Sequence, residues 1–144
     1  MREPRATRVL LIDALEDDRD IYSRGLEQLG FAVELASTAA EALEVAAATR
    51  PEVIVLHVTA DDAGDSGWGT CDALRRMSTT AGIPVVILTA AVRPDRANRD
   101  RARAMVNCAA FVGKPCDHER LALILQQVLE GQRGIEHSHG TLGR

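Results

Sequence analysis

Four short apolar runs, each closed by a polar residue or a glycine, constrain this chain more than any other feature. Residues 9–12 (VLLI) end in Asp13, 53–56 (VIVL) in His57, 85–88 (VVIL) in Thr89, and 109–112 (AAFV) in Gly113-Lys114. A run that is apolar at every position, rather than at every second one, predicts a strand covered on both faces. Phe31, Val33 and Leu35 alternate with Ala32 and Glu34 and predict one more strand.

Helical signals fall between these strands. Tyr22, Leu26 and Leu29 recur at helical spacing up to Gly30, a natural stop. Thr38-Ala39-Ala40-Glu41 fits a capping box and opens a helix to about Thr49, which Pro51 ends. Residues 59–70 are rich in Gly, Asp and Ser and read as a long loop, with Leu74 and Met77 in a short helix behind it. A polar helix is expected over roughly 95–106. Asp117 is an N-cap for a helix in which Leu121, Ile124, Leu125 and Val128 share one face. Five strands alternating with helices make an α/β fold with a parallel sheet between two helical layers. In such a sheet the functional crevice lies beyond the carboxyl ends of the strands. That singles out Asp13-Ala14, His57, Thr89-Ala90 and Lys114-Pro115.

Composition narrows the function classes. At 144 residues there is room for one ordinary domain. A net charge of −4 gives no case for nucleic-acid binding by the chain as a whole. No apolar run approaches the ~20 residues that span a bilayer, and 9–12 is too short for a signal peptide, so a cytoplasmic location is expected. The three cysteines, Cys71, Cys108 and Cys116, show no Cys-x-x-Cys spacing and read as reduced thiols.

The strand ends and their surroundings, "VLLIDA", "ASTAAEAL", "RPEVIVLH", "IPVVILTA" and "AAFVGKPCD", together resemble the receiver domain of two-component response regulators over about residues 8–130. The resemblance implies a flavodoxin-like doubly wound (βα)5 fold with a five-stranded sheet in the order 2-1-3-4-5. Residues 1–7 are then an N-terminal arm and 131–144 a flexible tail. It also implies phosphoryl transfer to an aspartate at the end of the third strand. Carboxylates after the first strand hold Mg²⁺, and a hydroxyl and a lysine contact the phosphoryl oxygens.

Carried over residue by residue, the likeness is uneven. Thr89 matches the hydroxyl, Ala90 the small residue after it, Phe111 the aromatic switch residue, Lys114 the lysine with Pro115 behind it, and Asp13 the first acid. Ala14 stands where the second acid belongs, and His57 where the phosphoacceptor belongs. The main-chain ligand would be Thr59, and the loop over 58–69 is longer than usual. Glu16 and Asp17 are the acids expected to reach into the residual pocket beside Asp13. No metal centre or other cofactor is expected, because imidazole is a poor ligand for Mg²⁺.

These departures imply an atypical receiver, a pseudo-receiver without conventional aspartyl phosphorylation. It would stand alone, act through protein–protein contacts and not be an enzyme. Its partner would be a signalling protein such as a histidine kinase or a downstream regulator, with neither a membrane nor a nucleic acid involved. Arg96, Arg99 and Arg103 on the predicted fourth helix offer a partner surface, and a homodimer through the fourth helix, fifth strand and fifth helix is one use of it. Two alternatives stay open: a phosphocarrier using His57, and a module that senses a small anion or a metal. His57 with Asp13 and Asp17 is a set that a transition metal accepts.

Overall fold

The computed structural model describes residues 6–58, 68–89, 108–113, 116–131 and 135–137. The elements are β1 (Arg8–Ile12), α1 (Glu16–Gln28), β2 (Ala32–Ala36), α2 (Ala39–Thr49), β3 (Val53–Val58), α3 (Trp68–Arg76), β4 (Val85–Thr89), β5 (Cys108–Gly113), α4 (His118–Leu129) and β6 (Ile135–His137). The strands form one parallel sheet in the order β2-β1-β3-β4-β5-β6, so the expected order of the first five stands.

Strand alternation divides the core into two layers. Val9, Leu11, Val53, Val55, Val86, Leu88, Ala110 and Val112 face α1 and α4, which add Tyr22, Leu26, Leu121, Leu125 and Val128. Leu10, Ile12, Ile54, Leu56, Ile87 and Phe111 face α2 and α3, which add Ala42, Ala46, Cys71 and Leu74. α1 and α4 approach so closely that a Cβ on Gly25 would overlap the ring and Cβ of His118. The Tyr22 hydroxyl donates to the carbonyl of Cys116 at 2.9 Å, tying α1 to the residues just before α4.

The helix ends follow local chemistry. Thr38 caps α2 by accepting from the Glu41 N–H at 3.1 Å. The Glu41 carboxylate reaches back to the N–H and hydroxyl of Ser37 (2.8 and 3.0 Å), one residue further than the expected box. The Arg8 guanidinium donates to the carbonyls of Thr49 and Arg50 at the other end of α2, where positive charge complements the helix dipole. Asp117 caps α4 through the Arg120 N–H at 2.7 Å. Gly30 takes a φ of 99°, which ends α1 in a conformation that side chains disfavour.

Three expectations need correction. β3 runs through His57 to Val58, all six residues buried, so His57 belongs to the ladder rather than to a loop. The loop expected to reach residue 70 gives way to α3 at Trp68, and Gly69 and Thr70 are helical. The tail contributes β6, whose Ile135–His137 pair with residues 110–112 of β5. The outer edge of β5 presents a free row of N–H and C=O groups, and a short strand led by a β-branched residue fills it. The helix expected over 95–106 lies outside the described residues. Among the described residues no helix is long and apolar enough to cross a membrane.

Candidate functional site

Parallel register brings the carboxyl ends of β1 and β3 level. Ile12 pairs with Leu56, so the next residues, Asp13 and His57, stand side by side. Both continue the alternation that faces α1 and α4, and both are buried, at 2% and 8% exposure. Asp13 is held closely. Its N–H donates to the Ala36 carbonyl at 3.1 Å, prolonging the ladder to β2. Its Oδ1 accepts from the Leu15 N–H at 2.9 Å, an aspartate turn that aims the side chain. Its carbonyl accepts from Arg19 at 2.8 Å, which pins the turn into α1. The other carboxylate oxygen, Oδ2, lies 3.8 Å from Nδ1 of His57, too far for a hydrogen bond between these two atoms.

The third member is Asp18, in the first turn of α1. One ligand-type atom each from Asp13, Asp18 and His57 lies within 4.8 Å of the other two. Glu16 and Asp17, the acids expected to reach the pocket, are exposed, and so is Ala14, whereas Asp18 is half-buried. Helical phase explains the difference. Asp18, Tyr22 and Leu26 are four apart and lie on one stripe, and that stripe is the buried one. The sequence held this signal, since Tyr22 and Leu26 already marked the inner face of the helix.

Burial and the surrounding charges act on Tyr22, just behind the pocket. Its phenol is pushed up to about 12, mainly by burial and then by Cys116, with smaller contributions from Asp18 and Asp13. Burial likewise raises the thiols of Cys71 and Cys116 to about 11. None of the three cysteines forms a disulfide; Cys71 and Cys116 are buried and Cys108 is half-buried.

Thr89 and Phe111 are both buried. Thr89 pairs with Val58 at the end of β4 and alternates with Leu88, so its side chain projects to the α2/α3 side, opposite to His57. Phe111 pairs with Ile87 and packs in the α2/α3 layer. Thr59, Ala90, Arg96, Arg99, Arg103, Lys114 and Pro115 lie outside the described residues.

A doubly wound parallel sheet with a buried polar cluster at the carboxyl edge defines a receiver-type α/β protein. The chain belongs to the response regulator receiver domain family of two-component signalling, whose model matches residues 9–126. The response regulator MprA of Mycobacterium ulcerans is 36% identical over 85 residues, covering 59% of this chain and 35% of that protein. MprA of Mycobacterium leprae is 37% identical over 83 residues, with 58% and 35% covered. The match thus spans about a third of the length of these curated relatives. Chemotaxis protein CheY4 of Vibrio cholerae superposes with a TM-score of 0.74 at 26% identity, covering 85% of this chain and 98% of that one. The signal receiver domain of a histidine kinase from Syntrophus aciditrophicus gives a TM-score of 0.73 at 24% identity, covering 96% of this chain and 100% of that one, a likeness of fold.

The family's Mg²⁺ can be tested against this donor set. Mg²⁺ takes oxygen ligands in near-octahedral geometry. The cluster supplies two carboxylates and an imidazole, which is not the all-oxygen set that Mg²⁺ favours.

Proposed function

We propose that this receiver domain transmits its signal through protein–protein contacts and takes no aspartyl phosphoryl group. One observation carries the reading: the side chain beside Asp13 at the buried end of β3 is the imidazole of His57. A carboxylate there is what the family chemistry needs as nucleophile and as metal ligand. With Ala14 in place of the second acid, one of the three carboxylates implied by the family pattern remains, Asp13. Asp18 comes from a different position. The domain is then no enzyme, Mg²⁺ binds weakly, and its partner is a histidine kinase or a downstream regulator reached through a surface.

The burial of His57, at 8% exposure within the ladder, speaks against its use as a phosphocarrier, since an attacking nitrogen must line up with an incoming donor. The test is incubation with acetyl phosphate, or beryllofluoride, in the presence of Mg²⁺. Intact mass and tryptophan fluorescence are expected to stay unchanged. A stoichiometric acid-stable, base-labile adduct overturns the reading. An acid-labile, base-stable adduct that disappears in His57→Ala also overturns it, and points to the phosphocarrier.

A further inference from the structure

We propose that Asp13, Asp18 and His57 form a binding site for a borderline divalent transition cation, of the class represented by Zn²⁺ and Co²⁺. This goes beyond the loss of aspartyl phosphorylation and does not depend on it. Three donors from separate elements, the end of β1, the first turn of α1 and the ladder of β3, bring ligand atoms within 4.8 Å of one another. Tetrahedral ligands on bonds of about 2.0 Å sit about 3.3 Å apart. The Asp13 Oδ2 to His57 Nδ1 separation of 3.8 Å is therefore closed by a small side-chain rotation.

The donor types choose the ion. Two carboxylates and one imidazole suit first-row transition cations with open coordination positions and disfavour Mg²⁺. The surroundings orient the ligands. The Leu15 N–H holds Oδ1 of Asp13 at 2.9 Å and leaves Oδ2 turned toward His57, which is the role of an outer-shell partner in metal sites. Asp18 is set by the buried stripe of α1, with Tyr22 and Leu26 one and two turns behind it. A dication balances the two carboxylates, which a site this close and this buried otherwise forces together. Bound there, it ties the first turn of α1 to the carboxyl ends of β1 and β3.

The experiment is calorimetric titration of the full chain with Zn²⁺, and optical titration with Co²⁺, in a background of millimolar Mg²⁺. One ion per chain is expected, with a rise in Tm on saturation and d–d absorption showing nitrogen ligation. A hundredfold excess of Mg²⁺ does not displace it. His57→Gln and Asp18→Asn each weaken binding tenfold or more, whereas Asp17→Asn, one residue away and exposed, leaves it unchanged. His57→Asp reverses the preference by restoring an all-oxygen set, so Mg²⁺ binding strengthens and Zn²⁺ binding falls.

Because His137 and His139 form a second histidine pair, the test is repeated with both replaced by Ala. Unchanged binding supports the site. Binding that vanishes with the tail histidines, survives both His57→Gln and Asp18→Asn, or yields to Mg²⁺ overturns it, as does no binding at all. Far-UV circular dichroism checks each fold. If His57→Gln does not fold, the half-buried Asp18→Asn decides. Failure of this proposal leaves the phosphorylation result untouched, so the two readings fall separately.

Discussion

The two faces of the sheet are built differently. On the α1/α4 face both helices bury large side chains, Tyr22 and Leu26 from α1 and Leu121 and Leu125 from α4. Two further constraints act there: the close approach at Gly25 and His118, and the hydrogen bond from Tyr22 to Cys116. On the α2/α3 face the fully buried side chains of α2 are Ala42 and Ala46, and the helix is held by its ends, through Thr38, Glu41 and Arg8. The polar cluster at the carboxyl edge projects to the first face and takes Asp18 from α1. Packing on that face therefore fixes the site, whereas packing on the other supports the sheet alone.

A matched pair of core truncations is the strongest way to break this contrast. Leu26→Ala and Leu74→Ala each remove a fully buried leucine, one from each face, and each is expected to cost about 2–5 kcal/mol in chemical denaturation. Only Leu26→Ala should also weaken Zn²⁺ binding, because it loosens the stripe that sets Asp18. Equal effects on binding would show the asymmetry to be wrong.

Gly25→Ala sharpens the same contrast. Helix propensity alone favours alanine by about 1 kcal/mol. The overlap with His118 opposes that by about 1–3 kcal/mol of overpacking. A net loss of about 1 kcal/mol is expected, and it should be relieved in part in the double variant with His118→Ala, which removes the ring but keeps the Cβ, as a thermodynamic cycle would show.

The smallest expected effect is alkaline. Tyr22, Cys71 and Cys116 all have raised folded values, at about 12, 11 and 11. Each is neutral when protonated, so the unfolded chain loses these protons first. Stability is then intact below pH 9 and declines as pH rises from about 9 to 12. Tyr22→Phe should remove the portion of the decline between about pH 11 and 12. Cys71→Ser, on the other face, should lessen the decline between about pH 9 and 11 and leave the portion above it in place.

Much of this was readable beforehand. The apolar runs, the helix caps at Thr38 and Asp117 and the meeting of Asp13 with His57 follow from periodicity and from the rule that strand ends converge. Asp18 was harder, because Glu16, Asp17 and Asp18 are chemically alike and only the phase set by Tyr22 and Leu26 separates them. Thr89 was assigned to the pocket by its place in the chain, and what the structure adds is that it is buried at the end of β4 beside Val58. The extension of β3 through His57 was hidden because a histidine after four apolar residues looks like the end of a strand. β6 could not be foreseen, since three residues of ordinary composition become a strand only where an unpaired edge receives them.

That sixth strand bears on how the sheet ends. An open sheet can grow by adding a strand from another molecule, and this is a route to aggregation. Ile135–His137 take up the outer hydrogen-bonding groups of β5 beside residues 110–112, so the border at that end is a strand of three residues, a short edge that offers little to pair with. The opposite border is β2, where exposed Glu34 sets a charge along the edge. A second molecule approaching either described border therefore meets a three-residue strand on one side and a carboxylate on the other, and both work against pairing.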